Sequence, residues 1–186
     1  MVEKQYTNTW FAERGGKTWD KVLHKRQIHS ALEIGCYEGQ ASVYMLEHFP
    51  KMQLIVIDLF DAKAAEDWDG YVDDYEARFE NNVSPFRDRV LKYKGKSFNA
   101  LADAIQVNAK FDFIYIDGDH RALPAMQDCV MAIELLEENG IMIIDDYGNI
   151  PWLHDAVDAF VKLLPKDKYY FKTTSDKEQM IVKRLK

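Results

Sequence analysis

The stretch from Ala31 to Gln40, reading ALEIGCYEGQ, limits the fold more than any other part of the chain. A short apolar run, Ala31 to Ile34, breaks at Gly35, passes Cys36, Tyr37 and Glu38, and meets a second glycine at Gly39. A helical pattern follows, with Val43, Tyr44, Leu46 and Phe49 as its larger apolar members. Strand, tight glycine turn and helix form the opening unit of an open α/β sheet. In such sheets ligands bind in the crevice beyond the carboxyl ends of the strands. Gly35 permits a positive φ and leaves room for a ligand, and Gly39 permits a close approach of the helix start to the strand.

The spacing narrows the ligand. A dinucleotide fingerprint needs three glycines as G-x-G-x-x-G, with pyrophosphate on the helix N-terminus. Here the pattern is Glu33-x-Gly35-x-x-x-Gly39, with an acid, Glu38, where a phosphate would approach. Negative charge there repels phosphate and suits a cationic ligand. S-adenosylmethionine carries an ammonium and a sulfonium and no phosphate, so it fits. On these residues the chain resembles the class I S-adenosylmethionine-dependent methyltransferases, whose first motif is E-x-G-x-x-x-G. The alternative is an ordinary glycine-containing strand–helix turn. The resemblance implies cofactor contacts from Glu33, Gly35, Cys36, Tyr37 and Gly39. It also implies a contact from the acid ending the second strand, Asp58, to the ribose hydroxyls. Asp58 follows Gly35 by 23 positions, near the offset of about 20 seen in related sheets.

Alternation of strands and helices continues along the chain. Expected strands are Ala31–Ile34, Gln53–Asp58, Val90–Lys94, Phe111–Asp117 and Ile141–Asp145, the second a fully apolar run suited to a sheet covered on both faces. Expected helices run from Thr18, as N-cap, to His29, then over 40–49, 71–82 and 123–138, the last closed by Asn139-Gly140. Leu123, Met126, Val130, Ile133 and Leu136 would form that helix's buried face. Ser97 is placed to cap a helix carrying Phe98, Leu101, Ala102 and Ile105. The Gly95-Lys96-Ser97 turn also resembles the segment that lies along the adenine in small-molecule O-methyltransferases, which makes Ser97 a cofactor candidate. Leu153, Ala156, Val157, Phe160 and Leu164 share a face of the next helix, and Tyr169–Thr173 with Gln179–Leu185 read as a closing hairpin. The resemblance implies a Rossmann-like seven-stranded α/β sheet, mostly parallel, with an antiparallel last strand and helices on both faces. One domain over 1–186 is expected, with an N-terminal arm and helix in 1–30 and the core in 31–186. The arm carries Tyr6, Trp10 and Phe11, and either packs on the domain edge or gates substrate. Residues 60–70 read as an acidic loop.

A second constellation lies where the fourth and fifth strands end, in IDGDH (116–120) and IIDDY (143–147). Neighbouring strands lie about 4.8 Å apart, so Asp117, Asp145 and Asp146 converge on the rim that holds the Gly35 turn. Close carboxylates repel one another, and protonation or a cation relieves this. A hard divalent ion with oxygen ligands does so directly; the alternative is helix caps and solvated acids. The pattern resembles the cation-dependent O-methyltransferases. The catechol enzymes carry Asp then Asp-Asn, and the macrolide-sugar group carries Asp then Asp-Asp, the form found here. The IDGDH segment is also similar to that of small bacterial and phage methyltransferases. The resemblance covers roughly 31–160 and implies Mg²⁺ on Asp117, Asp145 and Asp146. His120, two residues past Gly118, could take a proton from a substrate hydroxyl, or be an ordinary surface histidine. With Asp117 it forms the candidate catalytic pair; Lys96, Tyr147 and His154 are weaker candidates.

The reading is therefore methyl transfer from S-adenosylmethionine to a hydroxylated small molecule. Its rivals are a NAD-linked oxidoreductase on a similar sheet and a non-catalytic cofactor-binding domain. The 186 residues carry a net charge of −7, which opposes sequence-independent nucleic-acid binding, and there is no N/D-P-P-Y/F segment of amino-methylating enzymes. No apolar run nears the roughly 20 residues of a membrane span, and Met1 to Phe11 lacks a signal-peptide hydrophobic segment. The two cysteines, Cys36 and Cys129, are expected free and reduced, and a cytoplasmic location follows as the expectation. Nothing in the sequence opposes a homo-oligomer.

Overall fold

The computed structural model describes residues 2–13, 15–65 and 70–186; residues 66–69 of the acidic loop lie outside the described residues. In chain order the elements are α1 (Trp10–Glu13), α2 (Gly15–Val22), β1 (Ser30–Ile34), α3 (Gln40–His48), β2 (Gln53–Asp58), α4 (Tyr75–Val83), a 3-10 helix (Ser84–Arg89) and β3 (Val90–Lys94). Then come α5 (Ser97–Gln106), β4 (Phe111–Ile116), α6 (Ala122–Leu135), β5 (Leu136–Ile144), α7 (Pro151–Leu163), β6 (Tyr169–Thr173) and β7 (Met180–Arg184). The seven strands form one sheet in the order β3-β2-β1-β4-β5-β7-β6. β7 runs antiparallel to both of its neighbours, and the expected seven-stranded, mostly parallel architecture is the one observed.

Strand residues alternate between two cores because successive side chains point to opposite faces. Leu32, Ile114, Ile144 and Val182 pack with α5, α6 and α7. Ala31, Val56, Phe113 and Ile143 pack with α2, α3 and α4, around the fully buried Trp19. Each large aliphatic side chain buried this way contributes roughly 1.5–3 kcal/mol relative to leaving it exposed.

Register decides where the site lies. Ile34 pairs with Ile57 and with Ile116, and Ile116 pairs with Ile144. The next residue of each strand carries the ladder one step further. Gly35 N–H donates to Ile57 O at 2.8 Å, Asp117 N–H to Ile34 O at 2.8 Å, and Asp145 N–H to Ile116 O at 2.9 Å. Gly35, Asp58, Asp117 and Asp145 thus stand on one rim.

Several local expectations are corrected. The first long helix spans Gly15–Val22 rather than 18–29; Thr18 lies inside it, and its hydroxyl donates to Asp176. The helix expected over 71–82 starts at Tyr75 and passes after Val83 into the 3-10 helix that contains Pro85. α6 stops at Leu135, because Leu136 already pairs with Phe111. Asn139, not Gly140, takes the positive φ there, at 62°. The buried face of α6 is built on Ala125, Cys129, Ala132 and Ile133, while Leu123 is 82% exposed. Phe98 is likewise exposed on α5. Lys96, not Ser97, occupies the N-cap position of α5, and no side chain caps that helix. Gly39, at φ 81°, is close to Phe79 of α4, 2.9 Å from where a Cβ would stand, rather than to the strand.

Candidate active site

The turn after β1 is built around two carboxylates. Gly35 has φ 79°, and a Cβ there would meet the Asp117 carbonyl oxygen at 2.0 Å, so only glycine lets β1 and β4 leave the sheet side by side. Asp58 then gathers the turn. Its Oδ2 accepts the N–H groups of Cys36 at 2.9 Å and Tyr37 at 3.0 Å. Its Oδ1 accepts the Phe60 N–H and the Tyr75 hydroxyl, each at 2.9 Å. The expected ribose acid therefore also serves as the clamp that shapes the loop, and it lines the cavity there. Tyr37 takes a positive φ of 46°, a conformation costing about 1 kcal/mol or more outside glycine.

Glu33 lies beneath this turn, 1% exposed. Ser42 of α3 donates its hydroxyl to Glu33 Oε2, while Oε1 has no hydrogen-bond partner among the described residues. Burial pushes the Glu33 carboxyl up to about 8. Glu38 is equally buried; its Oε2 accepts the Thr7 N–H at 2.7 Å, and its Oε1 lies 3.6 Å from Arg78 Nε. The N-terminal arm is thereby tied to the loop and packs across it, with Gln40 Nε2 donating to Asn8 O at 2.6 Å.

The acidic rim forms two linked sets. The Tyr115 hydroxyl lies between Asp145 Oδ2 and Asp117 Oδ2, the latter at 3.0 Å, and Gln179 Nε2 donates to Asp145 Oδ1 at 3.0 Å. Asp117, His120 and Asp146 face one another, each offering one ligand atom within 4.8 Å of the others. His120 Nε2 is 3.3 Å from Asp117 Oδ1 and 3.4 Å from Asp146 Oδ2. Asp146 reaches this position through a positive φ of 51°. Of the three acids expected together, Asp145 falls outside this group and the histidine falls inside it. Burial raises the Asp117 and Asp145 carboxyls above the ordinary range, and neighbouring acids add to the rise.

Two connected lobes open at the rim. The larger, about 540 Å³, runs from Glu33 and the Gly35 turn to Asp117, His120 and Asp146, with Trp10 and Trp152 at its edge. The smaller, about 240 Å³, is bounded by Ile57, Gly95, Ser97, Phe98 and Asp128. Gly35, Asp58, Tyr71 and Arg121 line both. Lys96 borders the smaller lobe, whereas Tyr147 is turned to Asp158 and stacks on His154. Sequence reasoning missed Tyr115, Gln179 and Asp128. Strand alternation puts Tyr115 on the face of Asp117, and Asp128 lies among the small residues Ala125, Cys129 and Ala132 of α6; both signals were present in the chain. Gln179 had none, because its contact with Asp145 depends on the hairpin folding back. Among the described residues no helix is long and apolar enough to cross a membrane.

Residues 32–147 match the family described as methyltransferase domain. No curated protein matches the chain. Among solved structures, the chain is similar to an O-methyltransferase from Bacillus cereus in complex with S-adenosylhomocysteine, at TM-score 0.68 and 16% identity over 92% of this chain and 80% of that one. It is similar to the O-methyltransferase TomG from Streptomyces achromogenes, involved in tomaymycin synthesis and in complex with S-adenosylmethionine, at 0.69 and 14% over 92% and 80%. It is also similar to an S-adenosylhomocysteine-bound methyltransferase from Podospora anserina, at 0.68 and 18% over 95% and 85%. At these identities the likeness is one of fold.

Proposed function

The chain belongs to the methyltransferase-domain family, and we propose that it moves the methyl group of S-adenosylmethionine to a hydroxyl of a small molecule, with a divalent cation assisting. The observation that carries this reading is the larger lobe itself. One cavity joins the Gly35 turn to Asp117, His120 and Asp146, so a cationic donor and a hydroxyl acceptor can be held face to face. Methyl transfer is an in-line displacement in which the S–CH₃ bond breaks as the O–CH₃ bond forms. The protein's part is to align the two and remove the hydroxyl proton. Glu33 Oε1, buried without a partner, suits the donor's ammonium group, since a buried polar atom gains from any partner it finds. Asp58 lines both lobes at the point where the donor's ribose would cross between them.

The residues present fit a cation. The carboxylates of Asp117 and Asp146, which face one another across His120, would hold it, and carboxylate repulsion at the rim would be relieved. Mg²⁺ suits such oxygen ligands. Such an ion supplies Lewis acidity that lowers the pKa of a bound hydroxyl. His120 faces the same space and is the candidate proton acceptor, with Trp10 and Trp152 as apolar walls for the acceptor. The free, buried Cys36 and Cys129 suit a reducing compartment, and we assign the protein to the cytoplasm.

The test is methyl transfer to catechols and hydroxylated sugars with Mg²⁺ present or chelated. Asp117→Ala is expected to lower metal-stimulated transfer by about 10²-fold or more. Stimulation unchanged in Asp117→Ala would remove the cation from the account. NAD tried beside S-adenosylhomocysteine in a thermal-shift titration separates this reading from nicotinamide chemistry, and only the latter ligand is expected to raise the melting temperature.

A further inference from the structure

The chemistry above leaves one buried polar network at the rim unused. Its centre is Tyr115 of β4, 1% exposed. The Tyr115 hydroxyl is within hydrogen-bond reach of Asp145 Oδ2 and of Asp117 Oδ2, the latter at 3.0 Å. Behind Asp145 stands Gln179, buried in the turn that leads into β7. Gln179 Nε2 donates to Asp145 Oδ1 at 3.0 Å, and its Oε1 accepts the indole N–H of the fully buried Trp19 at 3.2 Å. The Asp146 N–H also donates to Asp145 Oδ1, at 2.9 Å.

This chain of donors has a fixed direction. An indole nitrogen only donates, so Gln179 turns its amide oxygen to Trp19 and its NH₂ group to Asp145. Asp145 Oδ1 therefore accepts two N–H groups, and Oδ2 meets Tyr115, so the protein itself engages both oxygens. Asp117 is placed differently. Its Oδ2 faces Tyr115, while its Oδ1 is turned to the space shared with His120 and Asp146, 3.3 Å from His120 Nε2. Groups that hydrogen-bond a metal-binding side chain fix its orientation, and losing them typically weakens metal binding about 10–100-fold.

We infer that Tyr115 is a positioning residue for the cation site. Anchored by Asp145 and Gln179, it holds one oxygen of Asp117 so that the other faces His120 and Asp146. Asp145 is its anchor and not a ligand. The inference rests on the proposed cation at Asp117 and Asp146. In the pattern that the resemblance implies, Asp145 is itself a ligand; here its oxygens are already taken.

Calorimetry on the full chain measures Mg²⁺ dissociation constants for the unmodified protein and for Tyr115→Phe, Asp145→Asn, Asp145→Ala and Asp146→Asn. S-adenosylhomocysteine binding is measured on each. Tyr115→Phe keeps the ring and is expected to weaken Mg²⁺ binding about tenfold or more, with little change for S-adenosylhomocysteine; a general loosening of the rim would weaken both. In Asp145→Asn the amide oxygen accepts from Gln179 and the Asp146 N–H, and its NH₂ donates to the tyrosine oxygen, so the anchor survives. Mg²⁺ binding is expected to weaken less there than in Tyr115→Phe, and far less than in Asp146→Asn, which removes a ligand. Asp145→Ala removes the anchor and is expected to match Tyr115→Phe. Unchanged Mg²⁺ affinity in Tyr115→Phe or Asp145→Ala, an equal loss of both ligands in Tyr115→Phe, or a loss in Asp145→Asn equal to that in Asp146→Asn overturns the inference. If Tyr115→Phe does not fold, the comparison of the two Asp145 variants with Asp146→Asn decides alone. Absence of Mg²⁺ binding by the unmodified protein overturns the cation reading, and this inference with it. Mg²⁺ binding that Tyr115→Phe leaves intact overturns this inference alone.

Discussion

Glu33 shows how one residue can be costly to the fold and useful to the site. Its carboxyl is pushed from 4.5 to about 8 by burial, with Asp117 and Asp58 adding and Ser42 opposing. The folded protein therefore holds a proton that the unfolded chain releases between those two values. The neutral acid is accommodated fully below the unfolded value, and stability is lost as pH rises toward 8. Glu33→Gln removes this dependence. Urea unfolding at pH 5 and pH 8 is expected to show the variant gaining on the parent at the higher pH, by a few kcal/mol at most. The same logic predicts that a cationic ligand binds more tightly as pH rises to about 8 and that the variant loses this trend. Gly35→Ala tests the turn. The strain of a positive φ and the 2.0 Å approach to Asp117 O are expected to cost roughly 2–4 kcal/mol in chemical denaturation. His120→Asn is expected to remove one limb of the pH–rate profile of methyl transfer; an unaltered profile would end its assignment as the proton acceptor.

At the scale of elements, Asn82 ties the N-terminal arm to both α4 and the turn after β1, alongside the Thr7–Glu38 and Asn8–Gln40 hydrogen bonds. Asn82, fully buried, donates from Nδ2 to Gln5 O at 3.0 Å and Glu38 O at 2.8 Å, and accepts the Gln5 N–H at 2.7 Å. It pairs with the arm as a neighbouring strand would. Asn82→Ala strands those three backbone groups, so a loss of about 1–3 kcal/mol is expected. Amide exchange at Gln5 and Thr7 is expected to accelerate well beyond that of the sheet. Unchanged protection at Gln5 would show that the arm is held by something else. The strands and their order were legible because apolar runs such as 54–57 belong to a sheet covered on both faces, and the glycine turn named its first unit. Helix limits were less legible, since tertiary pairing overrides local signals. Leu136 joins Phe111 across the sheet and ends α6 where helical periodicity would carry it on. The rim was legible as a set of acids, but not its partition. Asp145 is linked to Asp117 through the Tyr115 hydroxyl and is held on its other oxygen by Gln179, which a hairpin 34 positions away in sequence brings there.

Across the whole molecule, seven strands hold the site and two helical layers keep the sheet dry. The rim is the place where these layers leave carboxylates with unmet demands. Glu33 Oε1 has no hydrogen-bond partner among the described residues, and Asp117, His120 and Asp146 face one another. The proposed sulfonium donor, with a divalent ion beside it, would answer both. Binding to the folded form alone stabilises it. At a ligand concentration about 100 times its dissociation constant, the gain is expected to be about 2.7 kcal/mol, read as a shifted urea midpoint. The central claim is that the donor lies across the Gly35 turn beside the acidic rim. Calorimetric titration with S-adenosylhomocysteine, with and without Mg²⁺, tests it most directly. The account predicts saturable one-to-one binding that Gly35→Ala abolishes or severely weakens. No heat under either condition, or binding that Gly35→Ala leaves intact, would contradict it.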